Sequence, residues 1–478
     1  MSSPILTVEP VLPVKAKLVR LWNSHGRRTV RAMTATSSGA LVSGLLSALA
    51  SKILAAQGGP AAIAMLATLQ QARQGGLIAA TMNGQTAVIQ GASARSGQER
   101  REYLRTSALL FCAGTALVAA ACILFPTALR SISGLAPLSD AAFRWLAVCV
   151  AFSSALIFLT SVLNTLGRIG TLAILQVTAS LALVAGVAAA APAFATIEPG
   201  SGSARLALVL AIAAAVPACA AGIVLAKSWP DWRDWMHGGG KLWSSRSASA
   251  FLSVSAAMLA SGMIATGVLL GVRGRIIAQH GLSVAGWFDA AWNISMNHAS
   301  LLLASLQTYC LPALSRAKSA KEQAEHMSGV LMLVMPAAAL MISGIAIAKP
   351  WLVELLYVPS FHPASSILRW TLLGDYLKVG SWILSLPLLA SADVKAFLLL
   401  DGAAYATFAG ASVALGRWLP GGEAAGAAFV CMYAVHLAAG GMLARWRCGI
   451  RLRRGALAAW AAGVAVVSIV SAFTWNRI

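Results

Sequence analysis

Leu206-Ala-Leu-Val-Leu-Ala-Ile-Ala-Ala-Ala-Val-Pro-Ala-Cys-Ala-Ala-Gly-Ile-Val-Leu-Ala226 runs without a charge from Arg205 to Lys227. Coiled as an α-helix at about 1.5 Å per residue, it reaches across about 30 Å, the hydrocarbon thickness of a bilayer. Lipid offers a peptide group no hydrogen bond, so a lone crossing segment must satisfy its backbone internally, as a helix does. The pattern recurs, with spans expected near 33–55, 61–90, 104–129, 143–166, 169–195, 205–226, 248–276, 284–314, 328–357, 366–391, 394–416, 424–444 and 455–475. Those at 61–90 and 284–314 are the most polar.

Of 478 residues, 58% are hydrophobic and 11% charged, with mean hydropathy +0.76. A soluble chain of this length needs more charge to cover its surface. The fold class is therefore all-α, a polytopic membrane protein of about 13 transmembrane helices. The net charge of +21 does not imply nucleic acid, because Lys and Arg cluster in short loops between apolar runs. With a cytoplasmic N-terminus, 24 of the 36 bases fall on the cytoplasmic side and seven on the other. Five (Lys52, Arg73, Lys349, Arg369, Lys378) fall inside spans. Cytoplasmic loops carry such an excess, so the N-terminus is expected inside. Ala48-Leu49-Ala50 looks like a signal-peptidase site, but the basic region before it runs to Arg31 and many spans follow. No cleavage is expected.

The expected organisation is a basic cytoplasmic tail (1–32), a six-helix bundle (33–226), a cytoplasmic linker (227–247), a second six-helix bundle (248–447) and an extra C-terminal transmembrane helix (448–478). The halves read as repeats. Lys52-Ile-Leu-Ala-Ala-Gln-Gly58 and Arg275-Ile-Ile-Ala-Gln-His-Gly281 each end the first span of a half with a cation, two aliphatics, alanine and a later glycine. Half-repeats of this kind are a common transporter plan.

No catalytic residue, metal or cofactor is expected. The seven cysteines form no CxxC pair and the seven histidines no HExxH. Gly240-Lys241 lacks the following Ser or Thr of a phosphate loop, which excludes a nucleotide-driven pump. The useful signal is polarity inside the bilayer. Gln70, Gln74, Thr81 and Gln85 share one face of the second span, with Arg73 beside it. Asp289, Asn293, Asn297, Ser300 and Gln307 stripe the eighth span. Amides in hydrocarbon are costly, so both stripes should face protein or water. Either they bond neighbouring helices or they line a shared aqueous cavity; their matching positions in the two halves favour the cavity.

Lys52, Arg73, Arg273, Arg275 and Lys378 are candidate inward-facing cations, although Lys52 and the two arginines of the seventh span can instead snorkel to the outer interface. Spans one to six hold no Asp or Glu, so the cavity suits an anion such as a diphosphate, and the amides suit sugar hydroxyls. Asp375 and Lys378, at i and i+3, can pair. That pair serves either structure or ligand. Glu354, Asp401, His298 and His436 are further ionisable groups with no partner evident in sequence.

Ser51-Lys-Ile-Leu-Ala-Ala-Gln-Gly-Gly-Pro60, followed by the polar second span, resembles the start of the Wzx-type polysaccharide flippases. Tyr309-Cys-Leu-Pro-Ala-Leu-Ser-Arg316 and Leu373-Gly-Asp-Tyr-Leu-Lys-Val-Gly380 look like matching segments of the lipid III flippase-like branch, and the resemblance extends over roughly residues 33–447. This family belongs to the multidrug/oligosaccharidyl-lipid/polysaccharide exporter superfamily. The resemblance implies two six-helix bundles around a central cavity in the bacterial inner membrane, alternating access, and an undecaprenyl-diphosphate oligosaccharide as cargo. It also implies a polysaccharide polymerase and a chain-length regulator as partners. Lys52, Asp375 and Lys378 match family positions. Two features depart from the family: Gln70 stands near a family arginine, with Arg73 one turn away, and a thirteenth span follows Arg454.

The function expected is flipping of a lipid-linked O-antigen, common-antigen or exopolysaccharide repeat unit. The rivals are a cation-coupled exporter of the same superfamily, a peptidoglycan-precursor flippase, and a membrane-embedded polymerase or ligase. Outer loops of about ten residues leave the last of these little room for a catalytic site.

Overall fold

The computed structural model describes residues 27–474 apart from 133, 197–198, 229–240, 317–318 and 392. The expected tail before residue 27 and most of the expected linker lie outside the described residues. Helices form all the regular structure described. They are α1 (Arg27–Thr81), α2 (Gln85–Ser93), α3 (Gly97–Leu124), α4 (Pro126–Arg130), α5 (Asp140–Thr165), α6 (Ile169–Ala190) and α7 (Pro199–Ser228). There follow α8 (Ser245–Arg316), α9 (Ala320–Leu356), α10 (Ala364–Ala390), α11 (Val394–Leu415), α12 (Glu423–Cys448) and α13 (Arg454–Phe473). Among the described residues, ten helical stretches are long and apolar enough to cross a membrane. Exposed Leu117, Leu333, Leu340, Leu399 and Phe473 face outward from them, as lipid-bathed helices require. The chain is a multi-pass membrane protein.

Two of the long helices are folded back on themselves. In α1 the break is Gly59, at φ 62 and ψ −161, followed by Pro60. In α8 it is Gly281, at φ 84 and ψ 174. Side chains rarely tolerate such dihedrals, and proline starts a helix well because its missing N–H needs no partner there. Each break splits its helix into a first and a second arm. The repeat read from the sequence is thus displaced by one residue: Gly281 is the break, but its counterpart is Gly59 rather than Gly58. Counting both arms of α1 and α8, and α10, the described residues make thirteen passes.

The helices before residue 229 pack on one another, as do α8–α13, and α1 against α8 is the main contact between the two sets. At the end of the molecule where both breaks lie, the second arms meet backbone to backbone. A Cβ built on Gly286 falls 1.9 Å from the Pro60 carbonyl oxygen. Beside this contact Lys52 Nζ donates to the Leu355 carbonyl at 2.7 Å, and the Trp287 indole donates to Ser360 O at 2.9 Å.

Charges inside the helices are tied down, as a low-dielectric interior demands. Arg369 of α10 binds Glu423 in the first turn of α12 at 2.6 Å. Lys349 of α9, 1% exposed, donates to the Thr474 carbonyl at the end of α13 at 2.7 Å. That carbonyl has no helical donor of its own, and a cation there also meets the negative end of the helix dipole. At the other end of α13, the Arg453 guanidinium lies 3.3 Å from Glu325 and its backbone N–H donates to the Ser328 hydroxyl of α9. The thirteenth helix therefore runs parallel to α9, fastened at both ends.

Gly286 allows the second arms to touch, so Gly286→Ala should force them apart. Overpacking of this kind costs about 1–3 kcal/mol. The expected result is a lowered unfolding midpoint of the purified protein in detergent; an unchanged midpoint counts against the contact.

Candidate functional site

The second arms diverge from their contact at Pro60 and Gly286, and a polar cavity of about 350 Å³ lies between them. Ala67, Gln70, Gln71, Arg73 and Gln74 line it from α1, and Arg273, Trp292, Asn293 and Met296 from α8. On a helix these positions fall three or four residues apart, which is why one face of each arm supplies them. Trp292 is held from behind by an aromatic cluster, 5.5 Å from Phe288 and 5.0 Å from Phe429 between ring centroids. A second cavity, about 240 Å³ among α9, α10, α12 and α13, is lined by leucine, glycine, alanine and Trp460. It offers no charge, so the polar cavity is the candidate site.

Arg273 and Asp289 form the electrostatic centre. Each lies eight residues from Gly281, one on either side, so folding back at Gly281 brings both to the same depth. Nε of Arg273 donates to Asp289 Oδ1 at 3.0 Å and Nη2 donates to the same oxygen; the side chains are 4% and 1% exposed. Nη1 of Arg273 and Oδ2 of Asp289 have no hydrogen-bond partner among the described residues. Asp289 thus holds an arginine of the cavity instead of lining the cavity itself. Arg73 differs. Cys149 of α5 lies beside it, and its Nε has no hydrogen-bond partner among the described residues.

The other sequence candidates are dispersed. Lys52 lies at the break end on the Leu355 carbonyl. Arg275 is half-buried and absent from the cavity wall, so of the two neighbouring arginines Arg273 is the one that lines it. Asn297 is exposed. Side chains at Ser300 and Gln307 lie outside the described residues. The expected stripe on the second span breaks before its last member. Met82 and Asn83 have φ of 53 and 51, so the helix stops at Thr81 and Gln85 opens the separate, exposed start of α2. Asparagine tolerates this left-handed backbone, methionine rarely.

Asp375 and Lys378 do not pair. Asp375, fully buried, accepts from the Ser295 hydroxyl at 2.7 Å and lies 3.3 Å from His298 Nε2. Lys378 Nζ reaches Met296 Sδ at 3.2 Å and sits over the rings of Phe429 and Tyr433 at 5.9 and 5.7 Å. A second acid–histidine contact joins Asp401 to His436 at 3.5 Å, and Asp401 accepts from Ser261 at 2.8 Å. Glu354 likewise lies 3.3 Å from His362.

Breaking a buried ion pair from one side is worse than removing it whole. Asp289→Asn should destabilise the protein by roughly 3–5 kcal/mol, whereas Arg273→Met with Asp289→Leu should recover most of that. Denaturant unfolding in micelles reads both; strictly additive losses in the double variant sink the pairing.

No family model matches the chain. A stretch of 180 residues, 37% of the chain, is 25% identical to the lipid III flippase of Escherichia coli strain K12 and covers 42% of that protein. The Shigella flexneri lipid III flippase matches to the same extent. The chain therefore spans less than half the length of these curated relatives. Among solved structures, an inward-facing MATE-family multidrug resistance transporter of the MOP superfamily matches with TM-score 0.73 and 13% identity, over 86% of this chain and 98% of that one. The lipid II flippase MurJ in an inward closed conformation matches with TM-score 0.64 and 13% identity, over 94% and 99%. The chain has the fold of the MOP-superfamily transporters, and part of its sequence resembles the lipid III flippases.

Proposed function

We propose that this protein is a flippase that carries an undecaprenyl-diphosphate-linked oligosaccharide across the bacterial inner membrane. The observation that carries the reading is a membrane-embedded cavity walled by Arg73, Arg273, three glutamines and Asn293, with Asp289 set behind Arg273. A diphosphate finds two guanidiniums there, and guanidinium forks suit phosphate oxygens. Asp289 takes the Nε and Nη2 donors of Arg273, and Nη1, buried in this conformation, is the donor without a partner among the described residues. Sugar hydroxyls bond to the amides, and the flat face of Trp292 suits a sugar ring. A volume near the low end of the ~300–1,000 Å³ usual for small-molecule sites suits a headgroup more than a whole glycan. The polyprenyl tail stays in lipid.

In this reading the end carrying Gly59 and Gly281 faces the periplasm and the first helix starts from the cytoplasm. The Pro60–Gly286 and Lys52–Leu355 contacts then close the periplasmic side. Alternating access requires them to part while the cytoplasmic side shuts. A polymerase and a chain-length regulator that consume the flipped unit are the expected partners. Arginines in place of first-half carboxylates favour an anionic cargo over the cations of a drug exporter.

Losing one charged hydrogen bond costs about 1.5–3 kcal/mol, so Arg73→Ala and Arg273→Ala should each slow flipping roughly ten- to a hundredfold. Arg275→Ala should behave as wild type. The assay is exposure of a defined undecaprenyl-diphosphate sugar on the far leaflet of proteoliposomes, and full activity in both alanine variants overturns the assignment.

A further inference from the structure

Two contacts of the closed end meet on one short segment. Leu355, whose carbonyl takes the Lys52 ammonium, and Ser360, whose carbonyl takes the Trp287 indole, flank Tyr357. Trp287 adjoins Gly286, the residue pressed on Pro60, so both contacts belong to the closure where the helices fold back. Tyr357 itself is buried, and its hydroxyl meets the side chain of Asn293, with Asp289 also facing it. Asn293 lines the polar cavity. One residue thus stands between the closure and the cargo space.

The segment is built to move as a piece. Lys349 is fastened to the end of α13, and Pro350 follows it directly. Proline has no N–H for the carbonyl one turn back, so α9 is weakened there, between its anchored part and its last turns. Beyond Pro350 the chain is braced internally. Tyr357 stacks on Phe361 with ring centroids 4.8 Å apart, and Glu354 lies 3.3 Å from His362. A swing about Pro350 therefore carries Leu355 and Tyr357 together. Among the described residues, Lys52 is the one side chain of the first bundle that hydrogen-bonds to this segment.

We propose that Tyr357 is a positioning residue that holds the Asn293 amide in place for the cargo while the periplasmic end is closed, and frees it when that end opens. An amide with one end bonded to a tyrosine hydroxyl keeps a fixed plane, so its other end meets a ligand with little further loss of rotamer freedom. When Lys52 releases Leu355, the tip of α9 swings, Tyr357 withdraws, and Asn293 turns freely again. The grip on the cargo then weakens on the side where cargo is discharged. The identity of that cargo rests on the flippase reading; the link from Lys52 through Tyr357 to Asn293 stands on geometry alone.

The test is equilibrium binding of radiolabelled undecaprenyl diphosphate to the full-length protein in micelles. Tyr357→Phe keeps the ring on Phe361 and loses only the hydroxyl, so binding should weaken about two- to tenfold. Asn293→Ala should weaken it at least as much, and adding Tyr357→Phe to Asn293→Ala should change nothing further. Lys52→Ala should weaken binding by the otherwise wild-type protein and have no effect on Tyr357→Phe. Wild-type affinity in Tyr357→Phe, multiplying losses in the double variant, or an equal effect of Lys52→Ala in both backgrounds overturns the role of Tyr357. Inorganic diphosphate is the second probe. If wild type binds it and not the lipid, with the same pattern among the variants, the flippase reading falls and the Tyr357 link stands. Should Tyr357→Phe fail to fold, Lys52→Ala is compared in wild type and in Asn293→Ala, where equal losses again overturn the link.

Discussion

The pairing of Arg273 with Asp289 governs the centre of this molecule. A guanidinium and a carboxylate, both nearly sealed from solvent, are tolerable in a membrane interior only when they meet with good geometry. They meet because Gly281 turns the chain back midway between them. The pair in turn fixes how the two arms of α8 lie, which sets where Trp292, Asn293 and Met296 stand. The cavity is thus shaped by a contact largely outside it.

The two sides of the cavity use different chemistry. Arg73 and its glutamines come from a set of helices with no acid in their apolar spans, so that wall keeps its positive charge. The opposite wall belongs to a region holding Asp289, Asp375 and Asp401, each placed against a base or a histidine. Such residues are expensive to bury, and on this side each acid has a partner that offsets the cost.

Much of this was legible in the sequence. The spacing of Gln70 and Gln74, and of Asn293 after Asp289, marks two helix faces, and the need to satisfy buried amides points them at each other. Where the reading went astray, tertiary geometry decided. Asp289 looks like another member of a polar stripe until the fold at Gly281 sets Arg273 beside it. Arg273 and Arg275 cannot be told apart without the register of the arm that carries them. His298 and Asp375 lie on different helices, and no local spacing joins them. The interruption after Thr81 is a different case. Asn83-Gly84 is a turn dipeptide visible in the sequence, and giving it weight would have separated Gln85 from the stripe.

The attachment of α13 to α9 bears on how the protein is made. The Lys349 ammonium finds its acceptor 125 residues further along the chain, in a segment synthesised well after α9 itself. Until the ribosome delivers that segment, α9 carries a buried cation without its carbonyl, and its insertion into lipid is correspondingly unfavourable. Helix α13 therefore acts in biogenesis as a lock on α9, converting a loosely held intermediate into a fastened pair only after the chain between them has been made.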